Sequence, residues 1–172
     1  MLPKGRRAAF ERSGSDLTLG AGLLLSSLLH VRTDDDLTFG SYGKPVLSAG
    51  SPEFSLSHSG KHVLLGISDL LIGVDMEQRD RKVNEALLNR MCLPCEKGLE
   101  PLSVFTRKEC AMKLTGLGFS LPLNQIDTTA GFRWQHGDYR FFTRETEGYV
   151  ISVLTAEASL PDIQLLTPED LL

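Results

Sequence analysis

Asp75 and Glu77 stand two residues apart in the stretch "IGVDME". A strand turns alternate side chains to the same face, so both carboxylates would project together. Two hard oxygen ligands at that spacing suit Mg²⁺, which takes a few carboxylates along with phosphate oxygens and water. A solvated strand end that discourages edge pairing would carry the same residues. Glu109 and Lys113, in "FTRKECAMK", are four apart on one helical face, with Lys108 beside them. They read either as an ordinary i,i+4 surface pair or as a third acid for the cation with a lysine to neutralise phosphate charge. Lys44 lies in the Gly–Pro turn "SYGKP", and His58 sits between Ser57 and Ser59 at a strand end. Taken singly, these are ordinary surface residues. Taken with Lys4, they could form a phosphate-binding group, because ammonium, imidazolium and hydroxyl all donate hydrogen bonds.

The elements that must carry these residues can be read from pattern. A short basic helix is expected over 4–12 and a strongly apolar one over 17–30. Residues 32–53 are punctuated by "TDDD", "GSYGKP" and "SAGSP" around short candidate strands. Strands follow at 54–57, 63–68 and 71–75, the last two joined by "SDLL" as a tight hairpin. After "EQRDRK" the period becomes helical, with one helix over 83–91 and a longer one from about Leu99 or Leu102 to Leu114, where Gly116 or Gly118 supplies the C-cap. Strands return as "FRWQ", "YRFFTRE" and "YVISVLT". Helices followed by strands thus occur twice, which predicts an α+β protein of two related halves, 1–82 and 83–172.

The 172 residues suffice for a core, and 41% hydrophobic with 23% charged residues is ordinary for a globular chain. A net charge of −4 and a pI near 5.6 argue against a general nucleic-acid binder, although Lys4, Arg6, Arg7 and Arg12 make the N-terminus basic. The apolar run "LTLGAGLLLSSLLHV" is too short to span a bilayer and reads as a buried helix. Three cysteines cannot all pair, which favours a reducing cytoplasm. Cys92 and Cys95, a lone C-L-P-C, read as incidental loop thiols.

"YGKPVL", "FSLSHSG", "IGVDME", "RMCLPCE" and "FTRKECAMKLTGLGFSLPL" follow one another in the order and approximate spacing of the surfactin-type 4′-phosphopantetheinyl transferases. The chain resembles that family from Lys4 to the ending "LPDIQLLTPEDLL". The resemblance implies a pseudo-dimeric fold whose halves meet at the active site, so that a single chain works as a monomer. It implies transfer of the phosphopantetheine arm of coenzyme A to a serine of an apo acyl or peptidyl carrier protein, with release of 3′,5′-ADP. Fatty acid, polyketide and nonribosomal peptide synthesis all use such carriers. By the same similarity Asp75, Glu77 and Glu109 would hold Mg²⁺, or Mn²⁺, against the diphosphate. Glu109 would serve as the base for the incoming hydroxyl, and Lys113 would pair with diphosphate oxygens. Lys44, His58, Lys4 and Ser57 would meet the nucleotide end of coenzyme A, and Glu96 aligns with a supporting acid. The chain departs from the family at Phe105, where many members carry Trp, at Cys110 in place of Ala or Ser, and at Asp16, near where many carry Arg.

Two other readings stay open. The acids and basic residues alone would suit a Mg²⁺-dependent phosphohydrolase with water as acceptor. A degenerate homologue would bind coenzyme A or carrier protein without turnover.

Overall fold

The computed structural model describes residues 16–171; the expected basic helix, and with it Lys4, lies outside them. The described residues form three helices and eight antiparallel strands, in agreement with an α+β protein. Helix α1, Asp16–Leu28, takes the apolar run and buries Leu25 with Val31, Leu47 and Phe54. Strands β1 (Leu37–Phe39) and β2 (Pro45–Leu47) pair across the turn that presents Lys44. Strands β3 (Glu53–Ser59) and β4 (His62–Ser68) form a hairpin. Strand β5 (Ile72–Gln78) is followed by α2 (Glu85–Met91), α3 (Pro101–Thr115), and β6 (Phe132–Trp134), β7 (Gly137–Glu145) and β8 (Tyr149–Thr155). Among the described residues, no helix is long and apolar enough to cross a membrane.

The hairpin expected at "SDLL" is not formed. The tight turn lies one strand earlier, at Ser59–His62, where Gly60 adopts a left-handed φ of 57°. Strand β5 instead pairs with β8 over its whole length, from Ile72 opposite Thr155 to Gln78 opposite Tyr149, in a sheet of order β5-β8-β7-β6. It also runs three residues past the expected end.

Alternation along β5 separates core from chemistry. Ile72 and Val74 pack with Val153 of β8 and with Leu64 of β4. Gly73, Asp75 and Glu77 share the opposite face, directly across from Leu154, Ser152 and Val150. Helix α3 lies on that face. A Cβ at residue 73 would fall 2.0 Å from the carbonyl oxygen of Cys110, so glycine there lets the helix backbone approach the strand. The helix begins with Pro101 and with the Glu100 carboxylate accepting from the Ser103 N–H, and ends at Gly116, whose φ is 68°. Cys110, Ala111, Met112 and Leu114 bury its inner side beneath Tyr139 and Leu154.

Candidate active site

The close approach of α3 to β5 brings the acids of both elements together. Asp75 is 3% exposed. Its Oδ1 accepts from Lys113 Nζ at 2.6 Å and from Ser57 Oγ at 2.7 Å, while Oδ2 is buried without a hydrogen-bond partner. Glu77, also buried, accepts from Ser59 Oγ at 2.8 Å and forms an ion pair with Arg81, which lies over the ring of Phe105. Glu109, one turn before Lys113, is half-buried. Burial, together with the negative charges of Asp75 and Glu77, pushes its carboxyl up from 4.5 to about 7, against the pull of Lys113 and Arg81. An acid held that high by burial and neighbouring acids marks a candidate functional position.

Lys113 therefore does not make the ordinary helical pair with Glu109. It crosses from α3 to β5 and, with Arg81, balances the acids of the strand. Glu109 and Lys113 also line a cavity of about 270 Å³ together with Lys44, Tyr42, Met112 and Phe119. Lys44 enters it from the β1–β2 turn and donates to the carbonyl of Leu114 at 3.1 Å, at the C-terminal end of α3 where a cation is favoured. Its side chain packs against Gly116, and burial lowers its pKa, partly offset by Glu53. Tyr42 and Phe119 leave large aromatic surface exposed at this cavity.

Not every expected residue joins this group. His58 is exposed on β3, on the face opposite Ser57, and does not line the cavity. Ser57 is 5% exposed, and its hydroxyl is committed to Asp75 rather than offered at the surface. Glu96 lies away from the acids, in a fully buried ion pair with Lys108 at 2.8 Å, and also accepts from Leu93 and Thr128. Burial acts to raise the Glu96 carboxyl, but the bonds from Lys108, Leu93 and Thr128 outweigh it and hold the pKa below its ordinary value. Lys108 is correspondingly not a site lysine. It also donates to the carbonyls of Leu123 and Ile126, tying down the loop that carries Phe119. The three cysteines are free thiols.

Sequence reasoning missed the polar row beneath α3. Ser152 of β8, directly opposite Asp75, bonds Thr106 and Thr143, and Arg107 donates to Thr143 at 2.9 Å.

Among the described residues, no three carboxylate, imidazole or thiol groups stand together at ligating distance. The donor chemistry nevertheless fits a hard divalent cation: carboxylates from two elements, one buried carboxylate oxygen without a partner, and a third acid driven toward its protonated form by burial and by the other two.

No family model matches the chain. A protein of Synechocystis sp. (strain ATCC 27184 / PCC 6803 / Kazusa), provisionally named a 4′-phosphopantetheinyl transferase, is 36% identical over 105 residues. The matched region is 52% of this chain and 43% of that relative, so the chain spans less than half the length of the protein it matches. The similarity is thus to a transferase of phosphopantetheine, over half of this chain.

Proposed function

We propose that this chain is a 4′-phosphopantetheinyl transferase of the pseudo-dimeric, surfactin-type branch, moving the arm of coenzyme A to a serine of an apo acyl or peptidyl carrier protein. The observation that carries the reading is the meeting of Asp75, Glu77, Glu109 and Lys113 beside a cavity that Lys44 also lines. The similarity to a provisionally named relative supports the same chemistry.

In this reading the carrier serine oxygen forms a bond to the phosphorus bearing the pantetheine arm. The bond from that phosphorus to the bridging oxygen breaks, and 3′,5′-ADP leaves with the electron pair. Glu109 takes the hydroxyl proton, directly or through water. Lys113 stabilises the charge that gathers on the diphosphate oxygens, at little reorganisation cost because Asp75 already orients its ammonium. Asp75, Glu77 and Glu109 would hold Mg²⁺, or Mn²⁺, which when bound neutralises diphosphate charge and keeps the reacting groups in line. Lys44 draws the nucleotide phosphates toward the cavity.

The test is mass spectrometry of an apo acyl carrier protein incubated with the chain, coenzyme A and Mg²⁺. A mass gain of one phosphopantetheine, abolished by EDTA and slowed about 100-fold or more in Glu109→Gln and Lys113→Ala, is expected. No gain across several carriers would overturn the reading. Cleavage of coenzyme A with no carrier modified would make the chain a phosphohydrolase instead.

A further inference from the structure

Strand β3 meets the free edge of β5 through side chains. The Oγ atoms of Ser55, Ser57 and Ser59 accept from the backbone N–H groups of Val74, Met76 and Gln78, at 3.1, 3.3 and 3.1 Å. The constant offset of 19 residues means the two strands run in the same direction with the same period. The three serines thus occupy the place of a paired backbone along the edge of β5. A hydroxyl has one proton and two acceptor positions. With an N–H already donating to each oxygen, the proton is free to be given away. Ser57 gives it to Asp75 at 2.7 Å and Ser59 gives it to Glu77 at 2.8 Å. Ser55 has no such recipient, because the corresponding position on β5 is Gly73.

We propose that Ser57 and Ser59 are positioning residues that fix the orientation of Asp75 and Glu77 for a divalent cation. Each links a backbone N–H of β5 to a carboxylate of the same strand through one hydroxyl. The chain of donors sets the rotation of the carboxyl group. For Asp75 the consequence is visible: Ser57 and Lys113 both occupy Oδ1, which leaves Oδ2 as the unpartnered oxygen. Partners of this kind, which orient a ligand without touching the ion, are worth 10- to 100-fold in metal affinity. The inference rests on the proposed cation role of the two acids.

The strand supplies its own control, since Ser55 bridges the same strands but orients no carboxylate. Mn²⁺ alone would be titrated by electron paramagnetic resonance into the full chain and into Ser55→Ala, Ser57→Ala, Ser59→Ala, Ser59→Thr and Asp75→Asn, with thermal unfolding in parallel. Ser57→Ala and Ser59→Ala should bind Mn²⁺ about 10-fold more weakly, and Ser59→Thr, which keeps the hydroxyl, should recover most of the loss. Ser55→Ala should lower the melting temperature and leave Mn²⁺ affinity unchanged. Equal weakening in all three alanine variants would make the serines a simple strand fastener and overturn the assignment. Unchanged affinity in Ser57→Ala and Ser59→Ala, with Asp75→Asn defective, would also overturn it while leaving the cation reading intact. Wild type binding Mn²⁺ no better than Asp75→Asn would remove the cation reading itself, and this inference with it.

Discussion

Glu109 is the residue whose chemistry depends most on its surroundings. Its carboxyl is raised to about 7 first by burial and then by Asp75 and Glu77. The folded chain therefore binds a proton at this site between about pH 4.5 and 7 that the unfolded chain does not. Stability contributed by the protonated group is present at the acid end of that window and is lost as pH rises through 7. Urea unfolding from pH 5 to 8 should show this decline in the wild type and a flatter profile in Glu109→Gln, which should be the more stable of the two at pH 8. Mg²⁺ should flatten the wild-type profile as well, because a nearby cation favours the carboxylate. A wild-type profile as flat as the variant's, without metal, would mean that Glu109 is not held by its neighbours in this way. The type and spacing of Asp75, Glu77, Glu109 and Lys113 were legible in the sequence. Their partners were not. Nothing local signals that Lys113 bonds Asp75, 38 positions away, in preference to Glu109 on its own helix.

The same limit appears at the level of elements, where periodicity is local and pairing is not. Helix α3 could be read from its helical period and its glycine stop, and β8 from the strand-like run "YVISVLT". The hairpin was misplaced because "SGKH" and "SDLL" are both credible turns, and only the pairing of β5 with β8 decides between them. Lys108 misled for a different reason. It is adjacent to Glu109 in sequence, but neighbours on a helix point about 100° apart, so it faces Glu96 and the loop instead of the acids. That buried pair fixes α3 to the loop through Leu123 and Ile126, and so sets where Phe119 meets the cavity. Lys108→Met should cost about 3–5 kcal/mol, since it leaves a buried carboxylate without its cation. The double variant Lys108→Met with Glu96→Gln should be less destabilised than Lys108→Met alone. Denaturant midpoints would decide. Equal losses in the two would mean that packing of the lysine stem, and not its charge, matters.

In the whole molecule, the sheet joins segments on either side of residue 82, where the expected boundary between two halves falls. Strand β5 precedes that boundary, and its sheet partner β8 follows it, with seven residues in register. Lys113 to Asp75 is a second bond across the same divide, and Lys44 to Leu114 a third. The chemistry proposed here needs both sides: Asp75, Glu77 and Lys44 come from one, Glu109 and Lys113 from the other. The covalent link between them is mostly exposed, apart from the partly buried Val83; Arg79 bonds Glu145 and Thr146, and Asn84 caps α2. If the link only connects halves held by the sheet, cutting it should leave the structure standing. A protease recognition sequence inserted after Lys82 tests this. The cleaved chain should elute on size exclusion with the intact protein, because seven residue pairs and the buried side chains flanking them outlast one broken peptide bond. It should also keep most of the transfer activity proposed for it toward an apo carrier protein. Unfolding should become dependent on protein concentration, since the halves would then separate on melting. Separation of the fragments under native conditions would show instead that covalent connection at 79–84 is needed to hold β5 against β8.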